Sequence, residues 1–130
     1  MSAVAAFTSP TGIRRVLWLD ATTGAASALL SLAAPALVSQ TLGAPVALVQ
    51  GSAWAIVAFV SFIAWLLIQR PLPLAGLRLL GCINAAWVIA SVWLVLAGGV
   101  GLTALGVAFV LAQAALVGVL AALQLQASRA

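Results

Sequence analysis

The chain has no lysine, histidine, glutamate or tyrosine, and it carries a single aspartate, Asp20, and a single cysteine, Cys82. Each absence closes off chemistry. Without histidine the commonest ligand of haem and a frequent ligand of zinc is missing, and one cysteine with one aspartate falls short of an ordinary metal site. Serine and threonine are present, but Asp20 is the only acid and no base stands with it to activate a nucleophile. No disulfide can form within the chain. The glycine-rich turn Gly98–Gly101 runs into Leu102 and Thr103 rather than a lysine, so it is not a phosphate-binding loop. Neither an enzyme nor a cofactor or metal is expected.

Charge is scarce as well. Charged residues make up 5% of the sequence and hydrophobic residues 66%, where a soluble domain typically has about 25% charged residues. Lipid is the solvent that suits such a surface. The net charge of +4 comes from five arginines against Asp20. They stand singly or paired, without the basic stripe of a nucleic-acid binder, so no nucleic-acid partner is expected.

What is present is four long apolar runs. The spacing predicts membrane spans from about Val16 to Leu37, Val46 to Ile68, Leu77 to Ala97 and Leu102 to Leu125, since about 20 apolar residues suffice to cross. Arg14 and Arg15 precede the first run, Arg70 and Arg78 flank the link between the second and third, and Arg129 follows the fourth. The other two links, through Gly43 and through Gly99, are uncharged. Arginine-bearing ends stay in the cytoplasm. The expectation is an all-α antiparallel four-helix bundle over residues 1–130, a single integral membrane domain with both termini cytoplasmic, in a bacterial inner membrane. Arg14-Arg15 and Ala34-Pro35-Ala36 superficially match a cleaved twin-arginine signal. The run between them is long for a signal and contains Asp20, so the first span is expected to be retained.

The two halves echo each other. Shifted by 64 positions, Gly12-Ile13-Arg14 falls on Gly76-Leu77-Arg78, Asp20-Ala21 on Asn84-Ala85, and Ser27 on Ser91. With one residue deleted, Leu48 falls on Leu111 and Gln50 on Gln113. Polar matches are rare in such a sequence, and they predict two parallel two-helix repeats.

Polar side chains inside spans face protein or a water cavity. Asp20, Gly24, Ser27 and Ser31 share a face of the first span, and Gly81, Asn84 and Ser91 a face of the third. Gly106, Gln113 and Gln124 do so on the fourth, and Gln50, Trp54, Ser61 and Trp65 on the second. Turning all four faces inward is expected to satisfy them. Asp20 is expected to pair with Arg14, Arg15 or Arg78 at the same membrane end. Trp18 and Trp65 read as interfacial belt residues, Trp87 as a neighbour of Asn84, and Cys82 as a small buried hydrophobe.

An acid in the first of four spans is also where small multidrug transporters place theirs. Those proteins use a glutamate with tyrosine among its partners, and this chain has neither. The phenylalanine and polar signature of four-span fluoride channels is missing too. Two functions therefore fit the sequence. The first is a non-catalytic membrane protein that acts through helix–helix contacts, with itself or as an accessory subunit of a membrane complex. The second is a small oligomeric transporter or channel whose polar pathway is Asp20, Asn84, Gln50, Gln113 and Trp87.

The arginine bias generates a topology prediction. A cysteine placed at Gly43 is expected to react with an impermeant reagent from outside intact cells, and one at Pro73 only after the membrane is opened. Outside labelling at Pro73 overturns the orientation.

Overall fold

In a computed structural model describing residues 2–98 and 100–129, the four apolar runs form four long helices and two short helices accompany them. The elements are α1 (Ala3–Thr8), α2 (Pro10–Ala33), α3 (Pro35–Leu42), α4 (Val46–Ile68), α5 (Leu74–Ala97) and α6 (Ala104–Ala127). The helices α2, α4, α5 and α6 are each long and apolar enough to cross a membrane. All the described secondary structure is helical.

Local signals set the helix ends. Ser9 accepts the Gly12 amide at 3.1 Å and Pro10 takes the first helical position of α2, where its missing N–H costs nothing. Thr103 caps α6 in the same way through the Gly106 amide at 3.0 Å. Gly43 ends α3 and Gly98 ends α5 with φ of 75° and 64°, the left-handed turn that glycine adopts without strain. Gly99, part of the expected uncharged turn, lies outside the described residues.

The first span departs from expectation. It starts at Pro10 rather than Val16, and it breaks at Ala34 (φ −135°, ψ 60°) before Pro35. Pro35 has no N–H to give the carbonyl of Ser31, so the helix stops and restarts. Most of the link expected between Leu37 and Gly43 is instead the helix α3. The start of α5 and the end of α6 also lie further out than expected, at Leu74 and Ala127.

Packing concentrates at one end. Leu17, Ile63, Leu66, Leu77 and Leu80 are fully buried there, with Leu120 beside them. The most extensive contacts are α5 on α6 and α2 on α4, while α4 and α5, consecutive in sequence, touch little. Residues early in α2 meet residues late in α4: Arg14 reaches Leu67, and Gly24 lies against Ile56 and Val60. Large apolar side chains of α4 and α5 face outward, with Ile68 at 73% and Leu96 at 77% exposure, as suits a lipid-facing surface.

The arginines do not meet Asp20. Arg14 donates to the carbonyls of Leu67 and Gln69 at 2.9 and 2.8 Å, and Arg78 to the carbonyl of Ser128 at 3.0 Å. These carbonyls end α4 and α6, where unpaired oxygens and the helix dipole attract a cation. That attraction is the reason the expected pairing with Asp20 gives way.

The expected repeat is not established by the structure. Asp20 and Asn84 stand side by side, but Gln50 is exposed while Gln113 faces the interior. Cys82 is exposed, contrary to expectation, because it lies one residue beyond the buried Gly81 on α5.

Arg14→Ala removes a charged donor from two carbonyls. The expected cost is about 1.5–3 kcal/mol, measured as the shift in unfolding of the purified protein in mixed detergent and sodium dodecyl sulfate. Arg14→Lys should restore only part of it, since one ammonium lacks the planar fork that reaches both oxygens.

Candidate functional site

A cavity of about 350 Å³ lies among α2, α4, α5 and α6. From α2 it takes Asp20, Thr23, Gly24, Ser27 and Ser31, which are successive turns of one face. From α5 it takes Asn84, Trp87 and Ser91, and from α6 Gln113. Most of the remaining lining, contributed largely by α4, is apolar, including Ile56, Phe59 and Val60.

Asp20 is the eleventh residue of α2, about 15 Å along the helix axis. Its Oδ2 accepts from Asn84 Nδ2 at 3.0 Å and from Gln124 Nε2 at 2.7 Å. Asn84 Nδ2 also donates to Gln124 Oε1 at 2.8 Å. The three side chains close a triangle across α2, α5 and α6. Asn84 and Gln124 are buried, at 5% and 0% exposure, while Asp20 is half-buried and lines the cavity. Among the described residues Asp20 Oδ1 has no hydrogen-bond donor. A carboxylate in an apolar setting needs donors or a cation, and here only one oxygen has donors.

A second network stands further along the cavity. Trp87 Nε1 donates to Gln113 Oε1 at 2.9 Å, and Gln113 Nε2 donates to Ser91 Oγ at 2.9 Å and to the Val110 carbonyl at 2.9 Å. Ser91 Oγ donates to the carbonyl of Trp87 at 2.8 Å. Phe59 packs edge-on to Trp87, with ring centroids 5.8 Å apart. Both polar ends of Gln113 are thus used, and the aromatic pair forms an apolar wall.

Of the five residues singled out in the sequence, Asp20, Asn84, Trp87 and Gln113 line the cavity. Gln50 does not. It lies on an exposed face of α4 with Trp54 and Trp65, which are 63% and 51% exposed. The buried residues Val49 and Ala53 occupy the inward face, so the polar stripe of the second span points outward. Gln124 is the residue that the short list missed. Its signal was the spacing of eleven from Gln113, three helical turns, on a shared face.

No protein-family profile matches the chain, and neither a curated protein nor a solved structure matches it.

Gln124→Leu keeps the volume and removes a donor from the Asp20 carboxylate. The expected loss of unfolding free energy is about 1–3 kcal/mol, the cost of leaving a buried acceptor short of a partner. A double-mutant cycle with Asn84→Leu should show coupling, because the two amides bond each other and share one oxygen. Additive losses would mean that the triangle does not act as a unit.

Proposed function

We propose that this chain is a small non-catalytic transporter of a bacterial cytoplasmic membrane that binds a cation at Asp20. In this reading α2, α4, α5 and α6 form an antiparallel four-span bundle with both termini in the cytoplasm, and the protein works as an oligomer in the bilayer. The observation that carries the reading is the free Oδ1 of Asp20 beside a cavity of about 350 Å³. That volume lies in the range of small-molecule sites, which are mostly apolar with a few placed polar groups. An intramembrane acid that faces a cavity, rather than an arginine, is poised for a ligand.

The sequence alone points first to a protein that works by helix contact. The cavity reverses that order, because plain packing glue leaves no space beside its polar groups. One observation still favours contact as a second activity. Gln50, Trp54 and Ser61 lie on an exposed face of α4, and a glutamine turned to lipid gains from a partner helix. The occupant in this reading is a second copy of the chain. Gln50→Leu is then expected to shift cross-linked dimers toward monomer in mild detergent, and an unchanged ratio removes that interface. The duplicated hairpin rests on the sequence echo between the two halves and is an evolutionary reading rather than a mechanical one.

The transport reading is tested with Asp20→Asn, which keeps the shape and removes the ionisable group. Reconstituted wild-type protein is expected to move cations at least tenfold faster than empty liposomes, and Asp20→Asn is expected to bring flux to the empty-liposome level. Wild-type flux no greater than the liposome leak, across inorganic and organic cations, rejects the transport step.

A further inference from the structure

The cavity at Asp20 is closed at both ends of the bundle and open at its side. At the arginine-bearing end, Leu17, Leu77, Leu80 and Ala127 fill the space below the Asp20 triangle. At the opposite end, α3 is clamped to the start of α6. Thr103 N–H donates to the Leu42 carbonyl at 3.0 Å, and Thr103 Oγ1 to the Thr41 carbonyl at 2.8 Å. Gly106 lies so close to the Leu42 carbonyl that any side chain there would collide with it. Between these seals, a fissure of about 470 Å³ opens between α2, α3 and α6. It shares Ser27, Ser31, Val38, Leu42 and Phe109 with the cavity. Its outer lips, Leu30, Leu37 and Leu105, are 58%, 60% and 58% exposed. The break at Ala34 and Pro35 separates α2 from α3, and both helices line this opening with α6.

The lining changes character along this path. The fissure is apolar apart from Ser27, Ser31 and Thr41. The cavity beyond it gains Asp20 at one extremity, with Oδ1 unpartnered, and the Phe59–Trp87 wall. A single negative charge at the end of an apolar channel selects a molecule with one positive charge and an apolar body. A bare inorganic cation would have to shed its water into the fissure with few oxygens to replace it. An anion meets Asp20 and no facing arginine, since Arg14 and Arg78 are bonded to helix-end carbonyls.

Resting on the cation-binding reading above, we propose that the ligand is an amphiphilic organic cation, an ammonium carried on an alkyl or aryl body. It reaches Asp20 sideways from the lipid through the fissure between α2, α3 and α6. The ammonium lies at Asp20 Oδ1, and the apolar body extends past Ser31 and Phe109 toward the lips.

The test uses full-length protein in nanodiscs of neutral phosphatidylcholine, with Trp87 as the sole tryptophan after Trp18, Trp54, Trp65 and Trp93 are changed to phenylalanine. Those four are 51–71% exposed or lie outside the cavity lining. Trp87 fluorescence then reports occupancy. The probes are dodecyltrimethylammonium, dodecyl sulfate of matched chain length, and tetramethylammonium, the head alone. Dodecyltrimethylammonium is expected to bind at least tenfold tighter than either of the others, and Asp20→Asn to abolish that preference. Ser31→Phe fills the junction of cavity and fissure and should weaken binding at least tenfold without touching the triangle, which keeps the test readable if Asp20→Asn folds poorly. Ala26→Phe and Thr41→Phe narrow the fissure alone and should slow association several-fold. Equal binding of the alkyl cation and alkyl sulfate overturns the proposed ligand class. Tight, Asp20-dependent binding of tetramethylammonium with none of the amphiphile overturns the amphiphile while sparing the cation site. Association rates unchanged by Ala26→Phe and Thr41→Phe overturn the lateral route. No Asp20-dependent response to any cation overturns this inference and the cation-binding reading together.

Discussion

The Asp20 carboxylate, held by Asn84 and Gln124, is the constraint around which the rest of the molecule is arranged. In lipid there is little hydrophobic force to bring apolar helices together, so association rests on packing and on hydrogen bonds between helices. Here one acceptor oxygen draws donors from α5 and α6 toward α2. The three helices are therefore tied at one depth, and the leucine cluster packs tightly beside that tie. Away from it the helices separate, and the cavity occupies the space. A single polar contact thus separates a close-packed end from the cavity beside it.

The arginines support this division without joining it. Arg14 binds the last carbonyls of α4, and Arg78 binds the end of α6. Each links the start of one long helix to the end of another, where the backbone itself supplies negative potential. Asp20 is left without a cation of its own. Had an arginine reached it, the carboxylate would be neutralised internally and its free oxygen would have little to offer a ligand. The arginines therefore leave the site unpaired, because helix ends compete successfully for them.

The four spans and the inward faces of α2, α5 and α6 were legible in the sequence. Apolar length alone marks a span, and polar residues three or four apart mark a face. The second span misled, because Gln50 and Trp54 look like a polar stripe, yet the packing surface is set by Val49 and Ala53. In lipid, both polar and apolar faces can lie outward near a helix end, so polarity does not fix direction there. The break at Ala34 was carried by Pro35, but the length of the run invited a continuous span. Ser9-Pro10 marks the start of α2, a cap signal that apolar length does not carry. The expected arginine partner for Asp20 failed for a different reason. Shared membrane depth places charges at one level but does not say which way they turn, and backbone carbonyls, which no sequence pattern displays, took the arginines instead.

Function follows from the cavity more than from the tie beside it. A helix that breaks at proline inside the membrane must leave carbonyls without their usual donors, and such backbone is tolerated where it borders protein or a cavity. In this chain the break borders both. The short α3 closes one end of the bundle through Thr103 and Leu42, and with α2 and α6 it lines the opening at the side. A continuous first span could do neither. The proline and the aspartate therefore have complementary parts: Asp20 gathers three helices and offers one unpartnered oxygen, and Pro35 shapes the space through which that oxygen can be reached.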